Sequence, residues 1–165
     1  MEELNNATGS YVEFVIHKDN VINRCMPNDK AITLIDPFSY KEESTGLTKY
    51  TDLKEFSNIE KLTIENFYES SLSKINLKHS TLKAMTIINK NARIFTSLKG
   101  IHNFPELETL VIVNGNNLSN DTSVLSSCKH KIKEITVLFD DKSCFNSLMD
   151  LSYYCVNRGI LFKTR

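Results

Sequence analysis

Few residues of this chain have both the type and the spacing that catalysis or metal binding requires. Cys128 and His130 could form a thiol–imidazole pair, but the members of such pairs come from distant parts of a sequence. Asp140 and Asp141 could hold a cation, although acidic residues here also suit the N-terminal end of a helix. The other histidines are far apart in the sequence: His17, His79 and His102. The five glycines form no phosphate-binding loop, and we therefore expect no enzymatic activity, no metal site and no cofactor.

Composition and charge are those of one globular domain. The chain has 165 residues, of which 41% are hydrophobic and 24% charged, enough to bury a core without disulfides or a metal. Twenty basic and twenty acidic residues cancel, whereas nucleic-acid-binding domains carry a basic excess, so nucleic acid is a disfavoured partner. No stretch approaches the roughly 18 apolar residues of a membrane span, and the polar first residues are unlike a signal peptide. We expect an intracellular protein, of the cytoplasm or nucleus, with its four cysteines as free thiols.

One spacing of aliphatic residues recurs from Ile59 onward. Ile59-x-x-Leu62-x-Ile64 is followed by equivalent triplets beginning at Leu82, Leu107 and Ile132, at successive intervals of 23, 25 and 25 residues. A period of about 20–29 residues with this core is typical of a solenoid, in which each coil contributes one strand and one covering segment. One further period places the last strand at Gly159–Lys163, with Ile160 and Phe162 as its inward residues.

Seven strands are predicted from this rhythm and from local β-branched and aromatic content: 12–16, 31–35, 60–65, 83–88, 108–113, 133–138 and 159–163. The first strand falls outside the period. Residues 11–57 are therefore expected to form an irregular N-terminal cap and 58–165 the repeats of a single domain, 11–165, after a flexible segment 1–10. The clearest covering segment is an amphipathic helix over Ser143–Asn157, with Ser143 as its N-cap and Gly159 after its end. Its apolar face is predicted to consist of Phe145, Leu148, Met149, Cys155 and Val156. The other covering segments predict short helices or turns.

Two stretches, Asn58-Ile-Glu-Lys-Leu-Thr-Ile64 and Phe104-Pro-Glu-Leu-Glu-Thr-Leu-Val-Ile112, resemble the irregular repeats of the leucine-rich repeat superfamily, in particular its F-box-type and yeast members. The resemblance covers about residues 53–165, and no F-box lies ahead of the repeats in this sequence. It implies an α/β solenoid with a curved, mainly parallel sheet of about six or seven strands and short helices or turns on the convex side. It also implies that the asparagines two residues after Ile64, Ile87 and Ile112 bond backbone groups in the turn: Asn66, Asn89 and Asn114. Phe139 takes this place in the fourth repeat.

Alternation of side chains along each strand assigns the remaining strand residues to the outward, concave face. One outward column is predicted to run through Thr33, Thr63, Thr86, Val111, Thr136 and Leu161, and the next through Ile35, Glu65, Ile88, Val113, Leu138 and Lys163. The aliphatic members form a contiguous patch, which on an exposed surface marks a protein-interaction site. A sheet buried on both faces would give the same pattern. A further column alternates in charge, which favours cross-strand pairs and supports the register: Glu60, Lys83, Glu108, Lys133 and Arg158.

The sequence therefore predicts a non-enzymatic protein-interaction module, an adaptor or a subunit of a larger complex. Its expected partner-binding residues on the concave face are Thr86, Ile88, Val111, Val113, Thr136, Leu138 and Leu161. The last strand would be an open edge, able to pair with a partner or with a second copy. Two alternatives stay open. One is a small α/β enzyme-like domain with a site at the carboxyl ends of the strands, at Asp36, Asn66, Asn89, Asn114 or Asp140-Asp141; the other is a nucleic-acid-associated subunit.

Overall fold

The N-terminal part of the chain contributes a small antiparallel pair of strands. The computed structural model describes residues 12–15, 22–25, 30–35, 58–67, 70–75, 81–89, 97–115, 118, 122–139 and 148–165. Strand β1 (Val12–Val15) pairs antiparallel with β2 (Ile22–Cys25), and β2 contacts the strand that follows it. The sequence prediction placed the first strand in the cap but did not include β2. A signal was present, because a polar run at residues 17–20 separates two short apolar segments, as in a hairpin.

The main element is a six-stranded sheet in which every neighbouring pair is parallel and the strands lie in chain order. Its strands are β3 (Ala31–Ile35), β4 (Lys61–Phe67), β5 (Ala84–Asn89), β6 (Thr109–Val113), β7 (Glu134–Leu138) and β8 (Leu161–Thr164). A parallel neighbour requires a crossover of about a dozen residues or more, and the repeat interval of 23–25 residues supplies a strand and such a crossover. The predicted α/β class and parallel sheet are confirmed.

The recurring aliphatic residues form two rows across the centre of this sheet. Leu62, Met85, Leu110 and Ile135 are paired neighbours in one row, and Ile64, Ile87, Ile112 and Val137 in the other. None of these eight side chains is more than 2% exposed. Burying an aliphatic side chain of this size stabilises a fold by about 1.5–3 kcal/mol, so the two rows supply a large part of the driving force for stacking.

Short covering segments close the other side of this core. They include 3-10 turns at Leu72–Lys74 and Ile101–Asn103 and two helices, α1 (Thr122–Ser126) and α2 (Met149–Asn157). Their buried apolar side chains join the inward rows of the sheet in a single cluster: Leu72, Ile101, Leu125, Leu151 and Cys155 among others. The expectation of short helices or turns between the strands therefore holds for the part of the chain that the structure describes.

Helix α2 differs in detail from its prediction. Leu148, Leu151 and Cys155 form the buried stripe, whereas Met149 and Val156 are 40% and 67% exposed. Ser143, the predicted N-cap, lies outside the described residues. Gly159 has a φ of 70° and its N–H bonds the Val156 carbonyl, while the N–H of Ile160 bonds the Cys155 carbonyl at 2.8 Å. These two bonds are those of a Schellman motif, which ends the helix.

This helix end moves the last strand away from its predicted register. Ile135 pairs with Phe162 and Thr136 with Lys163, so the expected neighbours Ile160 and Leu161 are each two residues out of place. The interval from Ile135 to Phe162 is 27 residues, whereas that from Leu110 to Ile135 is 25 residues. A shift of two residues leaves every side chain on its predicted face, because side chains alternate with a period of two.

The charged column is corrected at the same place. Arg158 follows the end of α2 and is not a strand residue. Lys163 instead pairs with Glu134 at 2.9 Å, and Lys133 pairs with Glu108 at 2.8 Å, so alternating charge does bridge neighbouring strands. Lys30, which the sequence analysis had not included, pairs with Glu60 at 3.6 Å.

A second irregularity lies in β4. The register between β4 and β5 shifts after Ile64, and Phe67 then pairs with Asn89. Glu65 and Ile88 are therefore not paired residues, although the sequence prediction placed them side by side. The bulge turns the Phe67 side chain into the core, where it is fully buried.

Successive covering segments approach closely at Gly100. This residue has a φ of 100°, and a Cβ added to it would lie 2.7 Å from the carbonyl carbon of Leu72 in the preceding coil. Backbone cannot yield as a flexible side chain can, so only glycine fits between the two turns. Gly159 also has a positive φ, but a Cβ there meets nothing within 4 Å.

We expect Gly100→Ala to lower the free energy of unfolding by about 3 kcal/mol or more, because a backbone clash adds to the cost of a positive φ. Gly159→Ala is the matched control, with a loss of about 1 kcal/mol from backbone strain alone. Urea unfolding followed by circular dichroism measures both. Equal, small losses in the two variants would contradict the close approach of the coils.

Candidate functional site

The outward face of the sheet is the side turned away from the buried cluster. Its central column runs through paired residues of all six strands: Thr33, Thr63, Thr86, Val111, Thr136 and Lys163. Five of these six side chains are β-branched, so their χ1 angles are restricted. The column is as predicted except at its end, where Lys163 takes the place of Leu161.

Six of the seven predicted site residues form one compact array on β5, β6 and β7. Thr86, Val111 and Thr136 make its first row, and Ile88, Val113 and Leu138 make its second row. Neighbouring strands lie about 4.8 Å apart, so the array spans roughly 10 Å across the sheet and about 7 Å along the strands. We call these six residues the outward array.

The outward array is accessible to solvent. Ile88, Val111, Val113 and Leu138 are partly exposed, in contrast to the fully buried rows on the inward face of the same strands. Among the described residues, none of these four belongs to the buried cluster or packs against it. In the part of the chain that the structure describes, the outward face of these strands is therefore less buried than the inward face.

Leu161 lies at the border of the array. It pairs with Glu134 of β7 and is therefore diagonal to Thr136, within reach of its side chain across the two strands. Leu161 is 50% exposed, more than any of the six array residues, which are partly buried. The seven predicted residues thus occupy one continuous region, with Leu161 two residues away from its expected position.

A charge pair borders the same side of the outward array. Lys163 Nζ lies 2.9 Å from Glu134 Oε1, and the Thr136 hydroxyl donates to the same oxygen at 3.3 Å. The hydrogen bond from Lys163 holds the pKa of Glu134 below its ordinary value, and the Lys163 charge and the Thr136 hydroxyl act in the same direction. Glu134 is consequently ionised at neutral pH, and the border carries two opposite charges that cancel.

The carboxyl ends of β5 and β6 are joined by two asparagines. The Asn89 amide donates to the carbonyls of Val113 and Asn114 at 3.2 and 3.3 Å, and the Asn114 amide donates back to the Asn89 carbonyl at 3.4 Å. Asn114 has a φ of 60°, a left-handed conformation that asparagine tolerates better than most residues. Asn89 is only 5% exposed, and its Oδ1 has no hydrogen-bond partner among the described residues.

These bonds bear on the enzyme-like alternative. Asn89 and Asn114 are engaged with backbone groups at the strand ends, as the resemblance implied, and their amide donors are not free for a substrate. The Asn66 side chain, Asp36 and Asp140-Asp141 lie outside the described residues. In the part of the chain that the structure describes, no cluster of three or more potential metal ligands occurs.

Cys128 and His130 do not form a thiol–imidazole pair. Cys128 Sγ donates weakly to the Leu125 carbonyl at 3.8 Å, while His130 bonds Tyr154 and the N–H of Ile132. Burial raises the pKa of the Cys128 thiol and raises that of Cys155 to about 11. Both thiols are protonated at neutral pH and are therefore weak nucleophiles.

Sequence reasoning missed a cavity at the opposite ends of the strands. The segments that precede β6, β7 and β8 meet there, and they carry His130, Lys131 and Arg158. The only available signal was the basic run Lys129-His-Lys131, which the sequence alone could not connect with Arg158.

None of the described helices is long and apolar enough to cross a membrane.

Asn89→Ala tests the structural role of the asparagine pair. We expect the free energy of unfolding to fall by about 1–3 kcal/mol, because the variant removes the donor to two partly buried carbonyls, those of Val113 and Asn114. Asn58→Ala, at an exposed position ahead of β4, is the control and should change little. If chemical denaturation finds Asn89→Ala as stable as the unchanged protein, the amide contributes nothing to the fold and could serve a ligand instead.

The environment of His130 predicts a pH dependence. Burial, and secondarily the charge of Arg158, lower its pKa from the ordinary 6.5. The unfolded chain therefore binds this proton first as the pH falls, so the His130 contribution lowers the free energy of unfolding below about pH 6.5. An NMR titration of the His130 ring should give a pKa below 6.5. Arg158→Gln should raise this pKa and Arg165→Gln should not; a pKa at or above the ordinary value would contradict the described environment.

Comparison with known proteins gives no relative from which a role could be transferred. No family model matches the chain, and comparisons with curated proteins and with solved structures return no match. The geometry of the outward face and of the strand ends therefore carries the functional conclusion.

Proposed function

We propose that this chain is a non-enzymatic protein-interaction module, an adaptor or complex subunit, that binds a partner protein through the outward face of its sheet. The observation that carries the proposal is the outward array, a contiguous group of partly exposed aliphatic and threonine side chains that does not pack on the core. Contiguous apolar surface of this kind marks interaction sites in folded proteins. Leu161 extends the proposed contact beyond the array.

The charges around the array favour a protein over a nucleic acid as the partner. Lys163 is paired with Glu134, and Lys61 and Glu65 are both present on the outward side of β4. Nucleic-acid binding depends on unpaired basic residues that neutralise phosphates. An apolar centre with a balanced polar border instead matches the anatomy of protein interfaces.

The rigidity of the outward array supports the same proposal. The side chains of the array stand on three hydrogen-bonded strands, and four of the six are β-branched threonine or valine. Fewer rotamers are lost when such a surface binds, so less of the interaction free energy is offset by ordering. The enzyme-like alternative has weaker support, because Asn89 and Asn114 are already engaged with backbone.

The proposal includes a solenoid architecture of the leucine-rich repeat type. Its support is that strands of near-constant spacing stack in chain order with equivalent residues side by side, and that Asn89 bonds the backbone of the next coil.

An intracellular setting, the cytoplasm or nucleus, is also part of the proposal and is supported by the free thiols of Cys128 and Cys155. Strand β8 ends the sheet, and a strand of the partner or of a second copy could add there.

Substitution of the array by lysine tests the proposal. The full chain and its variants are used to isolate a stoichiometric partner from the source cells, and the affinity of that partner is then measured by calorimetry. We expect Val113→Lys to lower the affinity at least about tenfold, since charge at the centre of an apolar interface is left unpaired. Thr33→Lys, on the same face but at the far edge strand, should bind normally.

Circular dichroism separates binding from folding in these variants. A folded Val113→Lys that binds as well as Thr33→Lys removes the array as the contact surface. Loss of fold in Val113→Lys would show that the outward face is part of a core, and Leu138→Lys would then be expected to unfold as well.

A further inference from the structure

A cavity of about 680 Å³ opens at the amino-terminal ends of β6, β7 and β8. Its walls come from three loops, at Pro105–Glu106, Cys128–Ile132 and Arg158–Ile160, and from Leu125, Ser126 and Tyr154 on the covering helices. This volume is within the range of about 300–1,000 Å³ that small-molecule sites occupy. The cavity lies at the strand ends opposite to Asn89 and Asn114 and does not include the outward array.

Positive charge in this cavity exceeds what its one lining carboxylate neutralises. Both oxygens of Glu106 accept from Lys131 Nζ, at 2.8 and 2.6 Å, so Glu106 and Lys131 neutralise each other. Lys129 and Arg158 also line the cavity, and neither has a carboxylate partner among the described residues. Two uncompensated cations therefore face the same space.

Hydrogen bonds around His130 direct a further donor towards the cavity. The N–H of Ile132 donates to His130 Nδ1 at 3.3 Å, so in the neutral ring the proton is assigned to Nε2. Nε2 lies 3.3 Å from the Tyr154 hydroxyl oxygen, which accepts this proton's hydrogen bond and keeps its own O–H available. The Arg158 guanidinium lies 5.7 Å from the centre of the Tyr154 ring, close enough for a cation–π contact that holds both side chains at the cavity.

The end of α2 does not oppose an anion here. Unpaired carbonyls at a helix C-terminus would repel negative charge. In α2 the carbonyls of Tyr154, Cys155 and Val156 accept backbone N–H groups from the turn that follows the helix. The turn therefore satisfies the groups that would otherwise weaken anion binding.

We propose that this cavity binds a small organic phosphate, a phosphate monoester whose anionic head contacts Arg158, Lys129 and the Tyr154 hydroxyl. Arginine matches the geometry of phosphate oxygens with two parallel hydrogen bonds, which a point charge cannot do. The apolar part of the cavity lining, which we call its floor, includes Leu125, Ile132 and Ile160, whose side chains are 0, 6 and 5% exposed. An apolar or aromatic body attached to the phosphate would lie against this floor, which makes an organic ester a better match than the free ion.

Phenyl phosphate is a suitable probe, with inorganic phosphate and phenylacetate as comparisons. Each is titrated into the full-length chain at pH 7 and low ionic strength, followed by heteronuclear NMR. We expect saturable shifts at Tyr154, His130 and Arg158, and an affinity for phenyl phosphate at least about tenfold above that for either comparison compound. If inorganic phosphate binds as tightly as phenyl phosphate, the proposed contact with an organic body is wrong. If phenylacetate binds as tightly as phenyl phosphate, the proposed preference for a phosphate head is wrong.

Substitutions test whether Arg158 and Lys129 contact the phosphate head. Arg158→Gln should weaken phenyl phosphate binding at least about tenfold, as expected when a charge-assisted pair is lost. Arg165→Gln, the same change at an exposed position at the end of β8, should leave it unchanged. Lys129→Gln provides a second variant in a loop, in case Arg158→Gln disturbs the end of α2. Equal binding by all three variants, or shifts spread over lysines outside the cavity, would overturn the proposal.

Discussion

The whole architecture depends on two aliphatic side chains per coil reaching the same depth as those of the coil before. Leu62 and Ile64 set this depth, and their partners in β5, β6 and β7 repeat it with almost no exposure. The strands run parallel and in step, which keeps both rows aligned from one coil to the next. The covering segments have to be short and close together, which is why Gly100 packs directly against backbone of the preceding coil.

That constraint leaves two parts of each coil free to differ. Outward side chains make no contribution to the core, and their identities can be set by binding rather than by packing. The loops before the strands each keep a buried aliphatic residue, such as Leu107 and Ile132, but their exposed positions can also differ. Ahead of β7 and β8 these positions include Arg158, Lys129 and His130, which line one cavity. The proposed protein surface and the proposed phosphate site are therefore separate in space and rest on different residues.

The sequence predicted most of the parallel sheet, because its period is nearly constant where the aliphatic triplets are regular. It could not place β8 correctly, since the coil before β8 is two residues longer than the 25-residue interval and nothing in the aliphatic spacing marks the difference. It missed β2, because two short strands that pair antiparallel show no repeat. The outward array was predicted from alternation alone. The cavity was not, because its residues come from three loops that share no motif and are related only through the stacking of the coils.

The displaced strand β8 has an implication for how such a chain can change over evolutionary time. Its coil is two residues longer than the 25-residue interval before it, yet Leu161 and Lys163 remain on the outward face and Phe162 packs against the buried cluster. Insertions that move a strand by an even number of positions thus leave each side chain position on the same face of the sheet. A single inserted residue would instead turn the inward side chains outward along that strand, and the outward ones inward. Length variation between relatives of this chain should accordingly come in steps of two wherever it is absorbed by a strand rather than by a loop.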